Sequence, residues 1–207
     1  KRRYLSVPDG ATVRVGSDGD WSFPPGSILV KDFRLGGRPV ETRLLVRHDD
    51  GDWGGYSYEW NVAGTDAVLL PGRKVKRIGE QDWVFPGREE CFQCHTAVAG
   101  TALGPETAQM NRDVTYPATG RTANQLATLR HVGLLEALTD DPGRLPRLPA
   151  LDDGRATVEE RARAWLHANC SQCHRPDGPG RGSADYRFDV PLSALGACGV
   201  EPIGGDP

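Results

Sequence analysis

Cys-x-x-Cys-His appears twice in this chain of 207 residues, as "ECFQCH" at Glu90–His95 and as "NCSQCH" at Asn169–His174. Three chemistries use cysteines spaced in this way. A tetrahedral zinc site needs four ligands, and two Cys-x-x-Cys pairs would supply them. Yet 75 residues separate Cys94 from Cys170, against about 15–20 in a zinc ribbon, and zinc gives no reason for a histidine directly after both pairs. A thioredoxin-like dithiol places its motif at a helix N-terminus beside a βαβ unit. The second motif instead follows a long helical pattern, and no βαβ pattern is present. Covalent haem accounts for every residue. Cys91 with Cys94, and Cys170 with Cys173, would form thioethers to vinyl groups whose separation the porphyrin fixes, with His95 and His174 under the irons as proximal ligands. The sequence therefore predicts two covalently bound haem c groups.

Composition narrows the setting. A net charge of −3 gives no sign of a nucleic-acid or membrane-surface binder, and no apolar run approaches the ~18 residues that span a bilayer. The sequence does not begin with Met and shows no signal peptide, so it reads as a mature or excised segment. A hydrophobic fraction of 38% beside 26 Gly and 16 Pro is lean for a core of this size. The apolar face of a buried cofactor would supply part of the missing volume.

The fold class expected is α+β: an antiparallel β-rich part over 1–86, then a mainly α-helical, cytochrome c-like part over 87–207, truncated at its C-terminus. In the first part, "TVRV" alternates at Thr12–Val15, and "SILVKDFRL" (Ser27–Leu35) and "VETRLLVRH" (Val40–His48) flank "GGRP" as a hairpin. "GDWGGYSYEWN" spaces Trp53, Tyr56, Tyr58 and Trp60 near period two, as sheet packing would. "TDAVLLPG", "KVKRIG" and "DWVF" continue the short-strand rhythm, which fits a small sandwich or open barrel. In the second part, "REECFQCHTAVAG" starts as a short helix, and "TANQLATLRHVGLLEAL" (Thr122–Leu138) carries helical spacing. Asp140–Gly154 is a Pro/Gly-rich connector. Thr157 and Glu160 form a Thr-x-x-Glu capping box that opens a helix to Cys170, with Val158, Ala162, Trp165, Leu166 and Asn169 on one face.

The run "ARAWLHANCSQCHRPDGPG" looks like the start of small c-type cytochrome domains. The stretch "FPPGSILVKDFRLGGRPVETRLLVRHDDGDWGGYSYEWNVAGTDAVLL", followed by "CFQCH", "LGPETAQMNRD" and "NQLATLRHVGLL", resembles bacterial dihaem c-type cytochromes. These occur alone or fused behind quinoprotein-type sugar dehydrogenases. The resemblance implies periplasmic or extracellular electron transfer, with a redox protein such as a quinoprotein dehydrogenase as donor.

Sixth ligands decide whether such irons pass electrons or activate a small molecule. Met110, the one methionine, is a candidate, against a packing role. His131 is a second candidate, because it sits amid the apolar face expected over Thr122–Leu138; a hydrogen-bonded histidine is the alternative. His167 shares the helix of the second motif and is expected to point away, and His48 ends a strand beside Asp49 and Asp50 as a solvated turn. Arg121, Arg130 and Arg175 are candidates for haem propionates, with their planar donor forks. Cys198 reads as a buried thiol or a partner in an intermolecular disulfide. An electron carrier is the expected function. The alternatives are a haem-stacked polymer or larger redox complex, formed by self-association, and a dihaem peroxidase-like enzyme with one open iron.

Overall fold

Gly36 and Gly37 both hold positive φ, 55° and 81°, the backbone twist of a type I′ hairpin turn. The computed structural model, which describes residues 1–136, 138 and 140–201, places this turn between two long strands. The strands of the first part are β1 (Arg2–Ser6), β2 (Val13–Val15), β3 (Trp21–Ser22), β4 (Ile28–Leu35), β5 (Arg38–Arg47), β6 (Trp53–Trp60), β7 (Ala67–Leu69), β8 (Lys74–Ile78) and β9 (Gln81–Phe85). Two units emerge: Lys1–Arg14 with Ser22–Cys94, and Val15–Trp21 with His95–Pro207.

In the first unit an antiparallel sheet runs in the order β1-β4-β5-β6-β7, and β8 pairs with β9 as a separate hairpin. Arg2–Ser6, too polar to stand out as a strand, pairs with β4 at the edge. Period-two alternation puts Phe33, Glu41, Leu45 and Ser57 inward on one face. The hairpin packs there: the Trp83 ring stands edge-on to Phe33 at 5.9 Å, and its Nε1 donates to Glu41 at 3.0 Å. Glu41 is fully buried. It also accepts from Arg43 Nε and Nη2 at 2.7 and 2.9 Å, which offsets the cost of burying a carboxylate.

The second unit overturns the expectation of a mainly α-helical part. Between His95 and Cys170 lie α-helices of only 4, 7 and 13 residues. In chain order, after α1 (Arg88–Cys91) of the first unit, these elements are α2 (Thr107–Met110), β10 (Asp113–Thr115), β11 (Thr122–Asn124), α3 (Gln125–His131), β12 (Leu135–Glu136) and α4 (Val158–Cys170). Proline at 105, 117, 142, 146 and 149 interrupts helical hydrogen bonding at each step. The helix expected over Thr122–Leu138 breaks into β11, α3 and β12. Asn124 stops the helix from starting earlier, because its side chain caps Ala127 N–H at 3.1 Å, and Val132–Gly133 closes it. Ala137 lies outside the described residues.

Long connections are held by a buried amide. Asn111, 4% exposed, places Nδ2 at 2.8–3.1 Å from the carbonyls of Pro142, Leu145 and Pro146, and its Oδ1 accepts from Asn124 at 2.8 Å. The connector of 140–154 is thereby pinned to the segment that carries α3.

α4 begins as read, with Thr157 and Glu160 exchanging both capping-box bonds. Its buried side differs from the one expected. Val158 and Trp165 are 74% and 48% exposed, whereas Ala164 and Ser171 are buried and the His167 side chain is 11% exposed. Polar residues take the inner face because each finds a partner there: Ser171 donates to His167 O at 2.7 Å, and Arg163 donates to the carbonyls of Phe188 and Val190. Cys198, expected to be buried, is exposed. No helix among the described residues is long and apolar enough to cross a membrane.

Candidate functional site

Both motifs are made by the same local device, a helix that ends on the first cysteine. α1 ends at Cys91 and α4 at Cys170. The chain then continues in a tight turn, in which Cys94 N–H donates to Cys91 O at 3.3 Å and Cys173 N–H to Cys170 O at 3.1 Å. Neither thiol pair lies at a helix N-terminus, where the dipole would favour a thiolate. Burial instead pushes the Cys91 thiol up, with Arg43 acting the other way. All four motif cysteines are unbridged. Among the described residues no three His, Cys, Asp or Glu side chains converge as a metal ion would require, so the cysteines are not gathered as a zinc site gathers them.

In the first unit Cys91 rests on a bare patch of sheet. A Cβ on Gly55 would lie 2.7 Å from Cys91 Sγ and 2.9 Å from its Cβ, so any side chain there displaces the cysteine. α1 is fixed by the Glu90 carboxylate, which accepts from Gly87 N–H at 2.8 Å, and by Arg88 stacked over Tyr56 at 4.5 Å. Tyr56 OH in turn meets His48 Nε2 at 2.9 Å, so His48 has a structural partner and is not simply a solvated turn.

His95 falls in the second unit. Its Nδ1 lies 2.7 Å from Thr101 O. A carbonyl only accepts, so this nitrogen carries the proton, the arrangement that orients metal-binding histidines. Thr101 adopts φ 64°, a left-handed conformation unusual for threonine, and is held by its N–H donating to Thr96 O at 3.0 Å. His174 is framed differently. Its ring sits 4.9 Å from Tyr186, and its buried Nδ1 has no hydrogen-bond partner among the described residues. The loop after it folds back closely: a Cβ on Gly180 would stand 2.7 Å from Cys173 O and 2.9 Å from His174 Nδ1.

The flanks of the two motifs are stitched together within this unit. Thr96 Oγ1 donates to Gln172 O at 2.8 Å. Arg175 donates to Ser171 O at 3.0 Å and Val98 O at 2.8 Å. Arg175 is thus engaged by backbone carbonyls, while Arg121 and Arg130 are exposed, the latter donating to Asp140 O.

Beside the stitch opens a cleft of about 460 Å³, its mouth included, lined by Trp21, Leu103, Glu106, Gln109, His167 and Arg175 among others. Glu106 and His167 meet there at 2.6 Å. Phe188 N–H donates to His167 Nδ1 at 3.0 Å, which fixes the tautomer with the proton on Nε2 facing the carboxylate. Asp20, also on the cleft, has its carboxyl pushed up by burial first, then by Asp18 and Glu106.

His167, expected to point away from the haem its helix introduces, is held in the cleft by Glu106 and the Phe188 N–H. Its partner Glu106 is 61 residues distant in sequence, and no local pattern announces the pairing. Met110 ends α2 half-buried, and His131 ends α3 exposed. The apolar surroundings that made His131 conspicuous are therefore absent, and neither residue lines the cleft. Comparison with known protein families, curated proteins and solved structures gives no match for this chain.

Proposed function

We propose that this chain is a dihaem c-type cytochrome that transfers electrons outside the cytoplasm. Cys91, Cys94 and His95 would hold one haem c and Cys170, Cys173 and His174 the other. The observation that supports this reading is the proton on His95 Nδ1, donated to Thr101 O, within a motif whose cysteines form no disulfide and, among the described residues, no metal cluster. Two haem irons would supply one-electron ferric/ferrous chemistry at potentials set by ligands and burial. The protein's part is to orient two imidazoles and to limit water at each iron. No bond-making step is needed. The proposed donor is a periplasmic dehydrogenase of the quinoprotein kind, and Met110 and His131 are the sixth ligands to be tested.

One observation favours a second reading, a peroxide-reducing enzyme with one open iron: the Glu106–His167 pair offers the acid–base group such chemistry needs. Visible and low-temperature electron paramagnetic resonance spectra of protein matured with haem c separate the two. Two low-spin signals, silent to carbon monoxide and peroxide, are expected for the carrier. A high-spin iron that binds either molecule would transfer the proposal to the enzyme.

A further inference from the structure

Three cations stand in one row across the sheet of the first unit. Register pairs Arg3 of β1 with Lys31 of β4, and Lys31 with Arg43 of β5, so their side chains leave the same face of adjacent strands. Like charges directly opposite one another destabilise a sheet. Arg43 is answered by the buried carboxylate of Glu41. Arg3 and Lys31 have no carboxylate partner among the described residues. The Lys31 ammonium lies over the Phe33 ring at 5.4 Å, a ring also faced by Arg43 at 4.6 Å and Lys1 at 5.5 Å. Burial, then Arg3, Lys1 and Arg43, hold that ammonium below the usual lysine value, with Glu41 acting the other way, as burial and neighbouring like charges do.

The next row on the same face is Leu5, Leu29, Leu45 and Gly55. Two residues along a strand is ~7 Å, and Gly55 is where Cys91 closes on the sheet. The cations therefore lie one row along the sheet from the first motif cysteine and two strands (Lys31) or three strands (Arg3) across from it, at ~4.8 Å per strand.

We propose that Arg3 and Lys31 are the counter-ions of the two propionate carboxylates of the haem carried by Cys91 and Cys94. This rests on the dihaem reading. A haem c brings two carboxylates, and the row lacks two negative charges. An arginine fork and a half-buried ammonium both form strong charge-assisted hydrogen bonds to such groups. A row that costs stability in the bare chain becomes a binding feature once the haem is attached.

The test uses protein matured with haem labelled with ¹³C at the propionate carboxyls, haem per chain being counted first. Redox-difference infrared spectra of the parent, Lys31→Gln and Arg3→Gln are compared, with Lys31→Arg as the charge-retaining control. The labelled carboxylate bands are expected to shift in both Gln variants and to stay near the parental position in Lys31→Arg. Labelled bands that stay put in both Gln variants, with two haems still present, would overturn the assignment and leave the dihaem reading standing. If, in addition, oxidation by anionic ferricyanide slows several-fold against cationic hexaammineruthenium, the row is a docking face for acidic partners instead. Absence of haem at the first motif would overturn both.

Discussion

The two Cys-x-x-Cys-His segments share a turn and differ in everything that delivers it. The first is carried by a four-residue helix laid on a sheet, with Gly55 giving the cysteine its place. The second ends a 13-residue helix with a full capping box, and a returning loop at Gly180 closes over it. His95 is oriented by a carbonyl, whereas His174 has a buried nitrogen without a hydrogen-bond partner among the described residues. Identical motif residues thus meet different neighbours: a carbonyl at His95 Nδ1, the Tyr186 ring and the Gly180 loop at His174. A more strongly hydrogen-bonded imidazole is the more basic ligand, so two irons held in this way would differ in potential even with identical sixth ligands.

The largest expected effect is the separate loss of each attachment. Cys91→Ser with Cys94→Ser should remove one covalent haem and leave the second; Cys170→Ser with Cys173→Ser should do the reverse. Haem staining with intact mass reads the count, and loss of both haems from either pair of changes would show that the segments do not act independently.

Sterics come next. Gly55→Val should impair attachment only at the first motif and Gly180→Val only at the second, because each new side chain would meet backbone or sulfur closer than 3 Å. Overpacking of this kind costs about 1–3 kcal/mol, readable in chemical denaturation. A variant that attaches haem normally at its own motif would remove that glycine from the account.

Capping sharpens the contrast more gently. Thr157→Ala should cost about 1 kcal/mol and act on α4 alone. Glu160 has its carboxyl held below the usual range, first by the bond from Thr157 N–H. A depressed acid stabilises above its unfolded pKa and loses that contribution as pH falls through the folded value. The contribution of Glu160 to the capping box should therefore fade in acid, and a pH series of urea melts on parent and Glu160→Gln checks it.

Asp20 has the opposite sign. Its folded pKa is raised, so it favours the folded state below about pH 4 and loses that effect as pH rises through the folded value. Asp20→Asn should raise stability at neutral pH, with the gain shrinking as pH falls. A gain that persists unchanged at low pH would place its cause elsewhere than in the carboxylate.

What was legible in the sequence follows the range of the forces. The strands from Ile28 to Phe85 were readable because alternation and turn glycines act locally, and the α4 capping box because it spans four residues. The second half misled. Helical spacing in Thr122–Leu138 was real, but Asn124 finds a cap target and Asn111 draws the chain elsewhere, both through partners that spacing does not reveal. The inner face of α4 was misjudged for a related reason: hydrophobicity favoured Val158 and Trp165, whereas Glu106 and the Phe188 backbone reward His167 on the other side. The two Cys-x-x-Cys-His motifs are visible from spacing alone; the glycine that makes room for Cys91 is not, because its role exists only across strands.

The most direct measurement is the number of covalent haems per chain after production in a host that matures c-type haem, read as intact mass on the denatured protein. Two are expected, each lost singly with its own cysteine pair. A chain that carries none, with all four motif thiols still titratable, would contradict it outright.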